Sequence, residues 1–120
     1  MKVPAEVRMK LWALATAVAI TGVAALAMAK VNFVADFEST YGVKKTSALG
    51  KAKCAVCHVG KTVKLNVYGK DLAEAMKREK TKVLTGSVLK KVEGLDSDKD
   101  ETTNLDEIRA DTLPGDPKSK

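Results

Sequence analysis

The sequence predicts an all-α fold: one small helical domain behind an N-terminal apolar segment. Three observations predict it. Apolar residues recur at three- and four-residue spacing through residues 33–95, and little of that stretch alternates as a strand would. Glycines at 42 and 60 stand where two of these patterns stop. Aromatic residues make up only 4% of the chain, so few large side chains are available to fill a core, and a bulky apolar cofactor would supply the missing volume.

The elements follow in order. Met1–Lys10 carries Lys2, Arg8 and Lys10 against Glu6, and Leu11–Ala29 then runs without a charge. This is the pattern of an export signal, with Ala27, Met28 and Ala29 before the cleavage point and Lys30 after it. At about 1.5 Å per residue the uncharged run also comes close to spanning a bilayer, so residues 1–29 read as a signal peptide or an uncleaved membrane anchor. In both readings the rest of the chain works outside the cytoplasm, because basic flanks stay inside. Phe33, Val34, Phe37 and Tyr41 mark a first helix ending at Gly42. A second is expected over Ser47–Val59, stopping at Gly60. A third runs from Tyr68 to Lys80, with Leu72, Ala75 and Met76 on one face. A fourth covers Val83–Leu95, with Leu84, Val88, Val92 and Leu95 aligned and Gly86 in its middle. The Pro- and Gly-rich end, Leu113–Lys120, is expected to fray.

Charge divides the chain. Basic residues dominate Lys44–Lys91, opposed by Asp71, Glu74 and Glu79, whereas beyond Val92 acidic residues prevail. Each block reads as a solvated face, or the basic one as a surface that steers an acidic protein partner or meets anionic headgroups. Nucleic acid is not expected as a partner, since the chain has an export pattern and no recognisable reading element.

The stretch KAKCAVCHVGK, Lys51–Lys61, holds both cysteines and the sole histidine. A structural zinc needs four ligands, and this set offers three. A thioredoxin-like dithiol needs a βαβ setting that is missing here, and a disulfide over so short a loop would constrain the unfolded chain little. Cys-x-x-Cys-His is the attachment sequence of c-type haem, and that reading uses all three residues. Cys54 and Cys57 would bond the haem vinyl groups and His58 would hold the iron. On one helix the three side chains share a face. With one histidine, the sixth iron position falls to Met76, the only methionine after residue 29, or it stays open, or goes to a lysine or Asn66. Val56, Val59, Leu65, Leu72 and Tyr68 are expected to wall the pocket. Lys51, Lys53, Lys61 and Lys64 are expected around its edge to guide an acidic redox partner.

A second constellation is DSDKDETTNLDE. Counted from Asp96, oxygen-bearing side chains fall at positions 1, 3, 5, 9 and 12 as Asp96, Asp98, Asp100, Asn104 and Glu107, with the carbonyl of Thr102 at position 7. These are the EF-hand ligand positions, so the loop is a candidate calcium site as well as a plain acidic loop. Position 6, where glycine makes the turn, holds Glu101.

Together, KAKCAVCHVGKTVKLNVYGKDL and LDSDKDETTNLDEIRADTLPGDPKSK resemble the small single-haem bacterial c-type cytochromes whose C-terminus carries a calcium loop similar to thrombospondin type 3 repeats. The resemblance covers about Tyr41–Lys120. It implies a cytochrome c-like helical domain over residues 30–95 around one covalent haem, a calcium loop at 96–107 and a tail at 108–120. It also implies one-electron transfer to a protein partner rather than an enzyme's turnover; the N-terminal pattern, outside the resemblance, puts that work in the periplasm or at the outer face of the inner membrane, with residues 11–29 available for membrane association. Two other classes stay open: a haem ligand-binding or peroxidase-like protein with a free sixth position, and a calcium-dependent interaction module.

Overall fold

The computed structural model describes residues 33–120, and the export or anchor segment expected over residues 1–29 lies outside them. Five helices carry the described residues: α1 (Phe33–Tyr41), α2 (Ala48–Ala52), α3 (Val67–Arg78), α4 (Gly86–Val92) and α5 (Asn104–Arg109). A single 3₁₀ turn, Lys53–Val56, continues α2 toward His58. Among the described residues there is no strand, only an isolated antiparallel pairing of His58 with Leu65. None of the described helices is long and apolar enough to cross a membrane.

Four of these helices begin at a side chain that accepts a free backbone amide. Ser47 takes Gly50 N at 3.1 Å, Asn66 takes Gly69 N at 2.8 Å, Thr85 takes Val88 N at 3.2 Å and Thr103 takes Asp106 N at 3.3 Å. Such caps satisfy donors that the first helical turn leaves unpaired, each worth about 1 kcal/mol. Glycine at 42, with φ of +62°, lets the chain turn sharply after α1.

α4 packs against both α3 and α1. Phe37 from α1, Tyr68 and Leu72 from α3, and Val88, Leu89 and Val92 from α4 form the centre of the core, joined by Leu49, Val56, Leu84 and Ile108. Phe37 meets Tyr41 and Tyr68 edge-on, with ring centroids 5.1 and 6.4 Å away. Burying each large aliphatic side chain contributes about 1.5–3 kcal/mol, so this cluster rather than helix propensity holds such short helices.

Several expectations are corrected. The second helix does not run unbroken from Ser47 to Val59; it ends at Ala52, where Lys53 takes φ +49° and ψ −114° and redirects the chain into the 3₁₀ turn. The fourth helix is shorter than expected, because Thr85 caps it and Gly86 is its first residue rather than its middle. α5 is an additional helix that begins inside the acidic loop. The end of the chain is anchored. Pro114 is fully buried, Asp111 accepts Ala48 N and Leu49 N, and Leu113 N donates to Ser119.

Candidate functional site

The cysteine–histidine segment is built by a tight turn followed by a short return. Cys57 N and His58 N both donate to the Cys54 carbonyl, at 3.2 and 2.9 Å. The chain then reverses through Gly60, and Val59 N to Lys64 O and Asn66 N to Cys57 O zip the two arms together. Although the helix breaks at Lys53, the three side chains still converge. Cys54, Cys57 and His58 line one cleft together with Phe33, Val34 and Phe37 of α1 and with Leu49 and Val56.

That cleft holds about 100 Å³, and a more open hollow of about 780 Å³ adjoins it, sharing Lys53, Cys54 and His58. The second volume lies within the range of pockets that take a cofactor. The donor set fits a c-type haem. Both thiols are free, Cys54 exposed and Cys57 half-buried. Burial, aided by the neighbouring Cys54, pushes the Cys57 thiol up to about 11. The imidazole Nδ1 of His58 is buried without a hydrogen-bond partner. A buried orphan of this kind normally costs free energy, and Nε2 is left as the nitrogen that could meet a metal.

The walls of the cleft differ from the expected set. Val56 is there. Tyr68 and Leu72 are instead buried in the core, Leu65 is half-buried and Val59 is exposed. The residues sequence reasoning passed over are Phe33, Val34 and Phe37, whose helical spacing announced a buried face without saying what that face would cover. Met76 packs against the core and is not among the residues lining the cleft. Asn66 is not free for an axial position either, because its side chain bonds Ala55 O, Val56 O and Gly69 N. Among the four lysines expected at the edge, Lys51, Lys53 and Lys61 border the open hollow, beside the exposed Val63.

The acidic loop is a second, separate constellation. Carboxylate oxygens of Asp96, Asp98 and Asp100 lie within 4.8 Å of one another. Backbone amides fold the loop around them: Asp96 accepts from Asp100 N and Glu101 N, and Asp100 accepts from Thr102 N. Desolvation pushes Asp96 up, but the amides of Glu101, Asp100 and Lys99 outweigh it and hold that carboxyl below its ordinary value. Glu107 closes the loop from α5. It is 2% exposed, and both its carboxylate oxygens, like Asp98 Oδ2, are buried without a partner. Desolvation, then the charges of Asp98, Asp100 and Asp96, push Glu107 up to about 8. The three clustered carboxylates of Asp96, Asp98 and Asp100 could hold a hard divalent cation, and the buried, unpaired carboxylate of Glu107 is coupled to them by charge.

Asn104, expected as an oxygen ligand, is engaged in hydrogen bonds within the protein. It is fully buried, its Oδ1 accepts Ser97 N, and its Nδ2 donates to Val92 O and Ser97 Oγ. The side chain clasps the loop shut. Lys99 and Glu101 adopt φ of +60° and +75°, so Glu101 takes up the backbone form that glycine ordinarily supplies at position 6.

No protein-family model, curated protein or solved structure matches the chain.

Proposed function

We propose that this chain is a single-haem c-type cytochrome that carries single electrons between proteins outside the cytoplasm, with a structural calcium ion in the loop 96–107. The observation that carries the reading is the convergence of two free thiols and one imidazole, Cys54, Cys57 and His58, on a single apolar cleft. A bound haem would supply one-electron chemistry at its iron. Cys54 and Cys57 would hold the group through their sulfurs, by an addition of each S–H across a vinyl double bond that needs no oxidant. His58 offers its imidazole to the metal, and Phe33, Phe37, Leu49 and Val56 keep water from that side. Lys51, Lys53 and Lys61 border the open side and favour an acidic redox partner. Export, and membrane attachment if the segment is retained, rests on residues 1–29.

The cation is assigned a structural role because Glu107 joins the loop to α5, and neutralising the cluster removes the repulsion that burial magnifies. The test of the main reading is the full-length chain produced in a host that matures c-type cytochromes. The expected product is coloured, heavier by one haem, and resistant to thiol alkylation. A colourless protein whose two thiols alkylate freely would overturn the reading.

A second reading is favoured by one observation. Met76 does not line the cleft, and a haem held there without a second protein ligand would make the protein a haem-based ligand binder. Carbon monoxide separates the two, because it shifts the spectrum of the reduced protein readily only when that position is free. A methionine-to-iron charge-transfer band lost in Met76→Ala would return the assignment to Met76.

A further inference from the structure

Asn66 occupies a place that its helix-capping role does not explain. Its Oδ1 caps α3 by accepting Gly69 N at 2.8 Å, a task that Asp, Ser or Thr performs equally well. Its Nδ2 does something those residues cannot. It donates to Val56 O at 2.9 Å and to Ala55 O at 3.3 Å, the carbonyls of the two residues between the cysteines. Its backbone N–H takes the next carbonyl, Cys57 O, at 2.9 Å. Three successive carbonyls of the cysteine–histidine turn are thus held by one residue. Among the favoured caps only asparagine combines an acceptor with two donors on one side chain.

Two glycines keep this residue in place. A Cβ on Gly69 would collide with the Cys57 carbonyl oxygen, so α3 starts directly against the turn. From the other side comes the end of the chain. A Cβ on Gly115 would stand 2.6 Å from Cγ and Nδ2 of Asn66 and 2.7 Å from Oδ1, so the Gly115 backbone lies against the amide plane. Pro114, fully buried beside it, fixes that segment.

We propose that Asn66 is a positioning residue for haem attachment: its side-chain amide, pressed in place by Gly115, holds the Ala55 and Val56 carbonyls so that Cys54, Cys57 and His58 face one cleft. The proposal rests on the haem reading for its purpose and on the hydrogen bonds alone for its geometry. Asn66 touches no reacting atom; it acts through the turn.

Asn66→Asp and Asn66→Ser separate the two roles, since both keep an acceptor for the Gly69 amide and lose the two donations. Gly115→Ala disturbs the amide without altering Asn66. Two measurements are made on the full-length chain. The first, on haem-free reduced protein, compares the alkylation rates of Cys54 and Cys57. The second is the haem-bearing fraction by intact mass after expression in a maturation-competent host. With helix content unchanged by circular dichroism, the Cys57 rate is expected to rise roughly ten-fold toward that of Cys54 in both Asn66 variants, as the loss of two hydrogen bonds implies. The haem-bearing fraction should fall with it, and Gly115→Ala should move both in the same direction. Wild-type alkylation ratios and wild-type haem loading in the folded Asp and Ser variants would overturn the proposal and leave Asn66 as a cap alone. If those variants unfold, Gly115→Ala decides by the same two readouts. If wild-type protein carries no haem, the cytochrome reading fails while the alkylation ratio still decides whether Asn66 holds the turn.

Discussion

The carboxylate of Asp111 accepts the amide of Leu49 at 3.0 Å, and its second oxygen accepts Ala48 N at 2.8 Å, so a residue beyond α5 caps the helix that leads into the cysteine–histidine turn. Those two amides, first Leu49 and then Ala48, hold the Asp111 carboxyl below the ordinary carboxylate range. A group with a depressed folded-state pKa contributes stability above its unfolded pKa and loses it as pH falls through the folded value. Asp111→Asn is the clean comparison, because asparagine also tolerates the φ of +59° found there. The variant is expected to melt below wild type at pH 7, with the gap closing below about pH 4. A gap that persists unchanged to pH 3 would show that the carboxylate charge is not what binds the helix end.

Glu107 makes the opposite case. Its carboxyl is pushed up by desolvation and by Asp98, Asp100 and Asp96 to about 8, so without a cation its ionisation opposes folding. In chelator, stability is expected to be fullest near pH 4–5 and to decline as pH rises toward 8, in the sense that linkage requires for a raised acid. Calcium should reverse the decline, by about 2.7 kcal/mol at a hundred-fold excess over its dissociation constant. Glu107→Gln should invert the order, melting above wild type in chelator and below it in calcium. Equal melting temperatures in chelator and in millimolar calcium would remove the cation from the account.

The two thiols differ in burial, and their chemistry should follow. Cys57 is half-buried and pushed up to about 11, whereas Cys54 is exposed. Since the thiolate is the reactive form, Cys57 in haem-free protein should alkylate at least ten-fold more slowly than a free thiol at pH 8, on the order expected from such a shift. Peptide mapping after a timed pulse of iodoacetamide reads this directly. Equal labelling of both cysteines would mean the turn is open in solution.

How much of this was legible before the fold was known depends on whether the signal was local. Cys54, Cys57 and His58 stood out because their residue types are rare in the chain, and Asp96, Asp98, Asp100 and Glu107 because ligand spacing is a local property. The helices at Phe33 and Val67 announced themselves through periodicity. The break at Lys53 could not be read, since a lysine in a left-handed conformation is imposed by its surroundings: the Gly50 backbone packs against Lys44, and Asn66 pulls the turn inward. α5 was hidden because its first residues double as the end of the acidic loop. The tail was misread for a related reason. Proline and glycine suggest a frayed end when only neighbours in sequence are considered, yet Pro114 is fully buried and Gly115 lies against the distant Asn66, which no local pattern reveals.

Both constellations are held by non-glycine residues in backbone forms that favour glycine, and this can be measured. Glu101 sits at φ +75° within the acidic loop, and Lys53, at φ +49° and ψ −114°, immediately precedes Cys54. A left-handed conformation costs an L-residue roughly 1–2 kcal/mol, while glycine loses about 0.5–1 kcal/mol through the unfolded chain's greater freedom. Glu101→Gly should therefore raise stability by no more than about 1 kcal/mol. It keeps its amide bond to Asp96, so the loop need not rearrange. Lys53→Gly should gain more, about 1–2 kcal/mol, because its combination of angles is one that side chains rarely adopt. Urea denaturation of haem-free protein, with unchanged slope, checks both values. If Lys53→Gly instead lowers stability, the angles at Lys53 are relaxed in solution, and the turn that presents Cys54 is set by its hydrogen bonds alone.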